Sequence, residues 1–566
     1  QSVRDRMIAA DLQSFTMSVA SPQIGMLRYT AQSETWRASG GLRADLGSGW
    51  RAEAYYTHGE NNQYVRGDNH VLASRVYAAV DAVNVNGQTI CQISVANPNS
   101  GCVPINLFGG DAAIPDAARN YLTGSNYANE KTRQDVVEAT ISGDAFSTWA
   151  GPVSVAVGGG YRREFVRRVP DPLSAGPRNV AGGVPRGIPV GYLSGTGPFA
   201  LGSSAPISGS YNVWETFGEV LVPLAEDGPT LLHKLDLNAA IRYTNYSTSG
   251  GVTTWKGGLT WQPVEDLRLR ITRSRDIRAP NVTELFQSAA TMADNAVDPF
   301  RNNATSVVTN LARGNTGLGP ERADTLSFGA VFKPRFLPGF SISADYFDIQ
   351  IKGAIGNLGV QNIINQCFAG ATSLCPRIVR DVNNVITQVD NSFLNISAAR
   401  TRGIDLEASY QTRIGSDTLS IRALATNALE HSTQLPGAAK IDRAGQTGIR
   451  EGLASWNANL SVTYATGPVK FFVMERFQSA GVYDATFREG IDIDSNRVRA
   501  AYYTDATVTF TIPTGAGEAE MFFTANNLFD QAPPEAGNFF IYATRPTNPN
   551  LFDVIGRSFV AGARIK

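Results

Sequence analysis

No stretch of the chain is apolar for the roughly 18–20 residues that a membrane-crossing helix requires. A helical membrane protein is therefore excluded, but a barrel, whose strands are apolar only at alternate positions, is not. Histidine is scarce, with four in 566 residues: His58, His70, His233 and His431. Only the first two are close in sequence, and no Ser or His stands in a G-x-S-x-G or H-E-x-x-H context. Charge of one sign is also missing. A formal net charge of −1 gives no electrostatic reason to expect nucleic acid as a partner. Linkers, fixed repeats and blade-like repeats are absent, which argues against separate domains, a solenoid or a propeller. No signal peptide is visible, and the sequence starts at Gln1 rather than Met. These absences assign no catalytic residue, no cofactor and no metal, and an enzyme is not expected.

The few cysteines form two local pairs, Cys91 with Cys102 and Cys367 with Cys375, in Gly/Asn/Pro-rich segments. That placement predicts two small disulfide loops in an oxidising compartment. A zinc site would want C-x2-C spacing or a nearby histidine, and neither is present.

What the sequence does have is strict alternation, repeated many times. In "LDLNAAIRY" Leu235, Leu237, Ala239, Ile241 and Tyr243 share one face, and Asp236, Asn238, Ala240 and Arg242 the other. "DATVTFTIP" and "GIDLEASY" repeat the pattern, which is that of a strand with one apolar and one wet face. Short turns such as Gly47-Ser48-Gly49, Gly415-Ser416-Asp417 and Thr514–Gly517 alternate with mostly long irregular stretches. The long stretches lie near 60–132, 170–210, 279–321, 354–392, 430–448, 481–498 and 530–554. Short turns at one end and long loops at the other are the habit of outer-membrane barrels. About 17 strands are expected, far more than a soluble sandwich uses. The fold class is thus all-β, a transmembrane antiparallel β-barrel. In "LRLRITRSRDIRAP", Leu267, Leu269 and Ile271 should face lipid and Arg268 and Arg270 a lumen. The strand should end at Ala279-Pro280, because proline cannot donate to a ladder.

From about Asn212 the text resembles the TonB-dependent outer-membrane receptors. "NVWETFGEVLVPL" followed by residues 235–286 is similar to the middle of that barrel. "GNTGLGPERADTLSFGAVFKP" resembles its next strand, entered through Gly314, Asn315, Leu318, Pro320 and Glu321. "NISAARTRGIDLEASY", "FTANNLFDQAPP" and "GRSFVAGARIK" resemble later strands, and "GCVPINLFGG" an extracellular loop. The resemblance implies a barrel of 22 strands holding an N-terminal plug of roughly 150 residues behind a TonB-binding box. No plug sequence is found. An odd count of about 17 strands also cannot leave both termini on one side, as single-chain bacterial barrels do. Residues 1–566 are therefore expected to be the C-terminal portion of such a barrel, roughly strands 6 to 22. Barrels of this family usually end on an aromatic residue, and this sequence stops at Lys566.

Candidate sites are few. Arg162, Arg163, Arg167 and Arg168, just before a long loop, could contact an anionic ligand, though an interior strand face with a charged rim explains them as well. Tyr55, Tyr56, Tyr161, Trp214, Tyr502 and Tyr503 could stack on a ligand; interfacial girdle positions are expected for most. "DIDSN" resembles the start of a calcium loop at Asp492, Asp494 and Asn496, but Arg497 and Tyr503 stand where Gly and Glu would be needed. Gly158-Gly159-Gly160 sits in a strand pattern, where it allows close backbone approach.

The resemblance implies active uptake across the outer membrane of a Gram-negative bacterium. Loops would capture a scarce large solute (siderophore, cobalamin or carbohydrate), and the TonB complex would act on a plug. The expected partners are outer-membrane lipid, that complex and the solute. A passive channel or structural barrel without a plug is the alternative; an outer-membrane lipase or protease is a third.

Overall fold

In the computed structural model the described residues are 3–9, 24–108, 114–175, 198–199, 205–228, 231–448, 452–515, 517–536 and 547–565. Much of the expected 170–210 loop, part of the 530–554 loop and Lys566 lie outside them.

A single large antiparallel sheet forms the wall. Its strands are β1 (Arg28–Gly47), β2 (Trp50–Val71), β3 (Thr123–Thr148), β4 (Gly151–Pro170), β5 (Ile207–Glu226) and β6 (Lys234–Tyr246). They continue as β7 (Gly250–Val264), β8 (Leu267–Arg278), β9 (Glu321–Phe332), β10 (Phe340–Gly356), β11 (Leu394–Ile414) and β12 (Asp417–Gln434). The last five are β13 (Trp456–Thr466), β14 (Val469–Gln478), β15 (Ala501–Thr514), β16 (Gly517–Asn526) and β17 (Ser558–Ile565). Each pairs with the strand before and after it in the chain. The sheet counts eighteen strands because the two-residue Ile441–Asp442 hooks onto β12. Among the described residues β1 pairs only with β2, and β17 only with β16.

Alternation decides which face is which. Ile271, Phe328, Ile342 and Leu406 are exposed and share the outer face of neighbouring strands. On the opposite face Arg270 donates to Asp345 at 2.7 Å. The lipid and lumen sides predicted for Leu267–Ile271 are therefore those observed. Exposed aromatics Trp36, Tyr56, Tyr161, Trp214, Tyr243 and Trp255 mark the outer face toward the long-loop end, where barrels place an interfacial girdle.

One expectation needs correcting. The stretch 60–132 is not all loop, because β2 and β3 run for 22 and 26 residues. A spanning strand needs only about 9–11, so these strands continue beyond the membrane. Polar alternation in "ENNQYVRGD" keeps the ladder going, with Lys131 to Glu60 at 2.6 Å binding the outer face.

Candidate functional site: the lumen and its extracellular mouth

The lumenal face is polar and internally neutralised. Arg242 meets Glu215 at 3.1 Å, Arg422 meets Glu407 at 2.9 Å and Arg476 meets Asp505 at 2.9 Å. Half-exposed pairs of this kind each contribute about 0–1 kcal/mol; their larger effect is a wet, charge-balanced passage. A recess of about 530 Å³ opens on this face beside Ser142, Asp144, Ser154, Glu219, Asn238 and Lys256.

At the mouth, the stretch that ends β8 forms a lock. Asn281 caps the short helix Val282–Phe286, its side chain accepting from Glu284 N at 2.9 Å. Glu284 reaches back to Asn281 N at 2.7 Å, completing a capping box. The Arg278 guanidinium donates to Glu284 at 2.9 and 3.0 Å and to Glu321 at 2.8 Å. Glu321 also accepts Ile355 N at 2.7 Å. One arginine thus ties the end of β8 to the helix and to the start of β9, and Glu321 carries the tie on to the end of β10. Asn315 N donates to Glu284 O at 2.8 Å, and a Cβ on Gly314 would meet Leu285 O at 2.6 Å. The Arg-Ala-Pro and Gly-Asn…Pro-Glu motifs are therefore structural fasteners of the rim.

The loops are built around hydrophobic cores, which they share with one another or with the wall. Segments from the β8–β9 and β10–β11 connections combine into one module. The hairpin Ala290–Asp298 and Ala304–Ala312 accepts Ile386–Asp390 in parallel at Thr309↔Gln388, and Ile378–Arg380 closes the sheet. The helix Val360–Phe368 buries Val360, Ile363, Ile364 and Cys367, an i, i+3, i+4, i+7 stripe. Ala296, Val308, Ile386 and Val389 complete the core. Cys367 is bonded to Cys375, and Cys91 to Cys102, as the spacing predicted. The guanidinium of Arg380 grips the buried Asp298 carboxylate with its Nη2 at 3.0 Å and holds its pKa below the usual carboxylate range; burial opposes this. The 479–500 and 527–557 connections share a second core around Tyr483, Val498, Tyr503 and Phe552. A third packs Leu285 against Tyr211, Val213 and Tyr246 on the lumenal face of β5 and β6.

The four arginines do not converge. Alternation sends Arg162 and Arg168 inward, where they pair with Glu164 at 2.9 Å and Glu130 at 2.6 Å. Arg163 and Arg167 share the outer face with exposed Tyr161 and Val169. The aromatics divide in the same way. Tyr56, Tyr161, Trp214 and Tyr502 are exposed on the outer face. Tyr503 is buried with the loops, and Tyr55 faces inward opposite Gly41, so these two are not girdle residues. Asn496 organises its loop, donating to the carbonyls of Asp484 and Phe487 at 3.0 Å. Asp492 accepts from Arg488 N at 2.8 Å. A Cβ on Gly158 would meet Phe217 and Ala139 O within 2.7 Å, so the glycine run does permit a close approach. His58 contacts Asp135 at 2.6 Å on the outer face, His70 is buried, and His233 lies in a short turn. Only His431 takes a lumenal register at the rim, opposite Thr401, with 3.1 Å between Nδ1 and Oγ1. The two-loop module was missed, because its pairing joins segments about eighty residues apart; the Val360–Cys367 stripe was the one local signal.

Comparison with known proteins follows this geometry. The family model for the TonB dependent receptor-like beta-barrel matches residues 11–528. The heme/hemopexin utilization protein C of Haemophilus influenzae is 28% identical over 191 residues, 32% of this chain and 25% of that protein. The siderophore receptor PirA of Acinetobacter baumannii superposes with a TM-score of 0.55 at 13% identity, covering 94% of this chain and 62% of PirA. The pyoverdine receptor FpvA of Pseudomonas aeruginosa, bound to pyoverdine, gives 0.56 at 11% identity over 95% of this chain and 62% of FpvA. These two likenesses show the fold. The match to the curated relative spans a quarter of its length. With the family model covering most of its residues, this chain belongs to the TonB-dependent receptors, as a β-barrel of the Gram-negative outer membrane.

Proposed function

We propose that the chain forms the wall and mouth of a receptor that takes up a scarce, large solute with energy delivered through TonB. The observation behind this reading is the pairing of a wet, charge-balanced lumen with loops that carry hydrophobic cores among themselves. Pre-built loops lose little entropy when they close on a ligand, whereas a passive channel has no use for them. On this reading a plug and further wall strands lie outside the 566 residues. The first strand supports the latter: all of its residues are exposed, and a long unpaired edge invites a neighbour. The relatives name heme and siderophores as cargo; cobalamin and carbohydrate remain within the class, because fold does not fix cargo.

The test is uptake by cells expressing the full-length receptor, with radiolabelled ferric siderophore, heme, cobalamin and oligosaccharide. Accumulation of one cargo that stops when TonB is deleted supports the proposal. Constant conductance in planar bilayers with TonB-independent permeation overturns it in favour of a passive channel.

A further inference from the structure

Above the membrane band the outer face of β10–β12 carries a second, unassigned site. Tyr346, Asp348, Gln350 and Lys352 share the face of lipid-side Ile342, and Arg400 and Arg402 share that of Leu406. Arg402 lies opposite Asp348 and Arg400 opposite Gln350. These side chains therefore rise in steps directly above the Phe328–Tyr346 ring pair, whose centroids are 5.0 Å apart. A bulge in β12 turns Glu430 onto the same face. Its side chain is 3% exposed and lies 2.9 Å from both Arg402 Nε and Lys440 Nζ, with Arg400 Nη1 at 3.7 Å. Asp348 receives Arg400 Nε at 2.9 Å. Lys352 is exposed and makes no hydrogen bond or ion pair among the described residues. A groove of about 210 Å³ runs between Lys352, Arg400, Ser432, Gln434 and Lys440.

We propose that this groove binds a phosphate group on the headgroup of an outer-leaflet glycolipid. Three lines converge. Arg400, Arg402 and Lys440 share two carboxylates, Asp348 and Glu430, and Lys352 adds a fourth cation beside Asp324, which is already paired with Arg275, unlike the one-to-one pairs of the lumen. The buried Glu430 holds Arg402 and Lys440 in place, so the guanidinium edges and ammonium are presented without a further ordering cost. The patch is also continuous with the lipid-facing band, two to six residues along β10 beyond Tyr346 and level in register with the girdle residue Trp255 through Arg275, Asp324 and Gln350. An anion anchored by acyl chains is therefore delivered at this height, where a free phosphate would have only its bulk concentration.

The experiment uses the receptor purified from outer membranes in detergent and exchanged with defined lipids. Native mass spectrometry reads the retained bisphosphorylated acyl-glucosamine glycolipid, its dephosphorylated form and phosphatidylethanolamine. The wild type should retain the bisphosphorylated lipid at least tenfold over the dephosphorylated one. Lys352→Glu with Lys440→Gln should cut that preference at least fivefold. Lys352→Glu alone, whose ammonium fastens nothing, should cut it about threefold even if the double variant folds poorly by heat-modifiable gel mobility. The lumenal Arg422→Gln should leave it unchanged. Equal retention of both glycolipids by the wild type, or an unaltered preference in Lys352→Glu, overturns the proposal. So does displacement of the glycolipid by inorganic phosphate alone at millimolar concentration, which would assign the groove to a free anion.

Discussion

The wall and the module built from the β8–β9 and β10–β11 loops solve the same problem in opposite ways. Each must satisfy its backbone and bury apolar surface. In the wall each strand between β1 and β17 pairs its backbone with a neighbour on both sides, and apolar side chains on alternate positions face lipid, so Ile271 and Phe328 remain exposed in the isolated chain. The module stands in water, where exposure of that kind would be costly. It turns Ile363, Ile364, Val308 and Val389 inward to zero exposure and adds a disulfide and a buried ion pair. A repeated period of two therefore identifies the surroundings as bilayer, while loop stability has to come from a few long-range contacts.

The contrast can be broken most sharply in the wall. Ile271→Arg places a charge at mid-depth on the lipid face and should cost about 2–4 kcal/mol, read as a lower urea midpoint or failed insertion. Arg270→Leu, one position away on the lumenal face, should stay within about 1 kcal/mol. Near-equal losses would mean the two faces are misassigned. Next in size is Cys367→Ser with Cys375→Ser. Opening so short a loop should destabilise the module by about 2–3 kcal/mol, seen as faster hydrogen exchange over 358–390 with unchanged heat-modifiable mobility of the barrel. If the wall melted with it, the module would not be an independent unit. Arg278→Ala leaves Glu284 and Glu321 facing each other at the rim. Because the guanidinium is half-exposed, the expected loss is about 1–2 kcal/mol, with exchange rising first around 279–289. The smallest effect is on pH. Asp298 has its pKa lowered by Arg380, so it stabilises the folded module above its ordinary value near 4. That contribution is lost as pH falls through the depressed value. Protease cleavage within 290–312 should therefore quicken only below about pH 4, and Asp298→Asn should abolish that step.

Much of the barrel was readable because lipid enforces a local rule. The faces of Leu267–Ile271, the strand number and the two ends of the barrel all follow from period two and loop length. The same rule divides the arginines: neighbours in sequence, Arg162 and Arg163 occupy opposite faces, and only one of them reaches the lumen. The clustering of Arg162–Arg168 in the text was thus no cluster in space. The rim motif was visible as text, but its role as a fastener was not, since Arg278 needs Glu321 forty-three residues away.

By itself the sequence determined the all-β class, the lipid and lumenal faces, the short-turn and long-loop ends and the two cysteine pairs. Each of these rests on spacing within a few residues, where geometry leaves one choice. Tertiary structure alone decided that two loops would fuse into one module, that Arg278 would lock the rim, and that a bulge in β12 would turn Glu430 outward beneath three cations. Those outcomes depend on which distant segments the closed ladder brings together, and no local period encodes that.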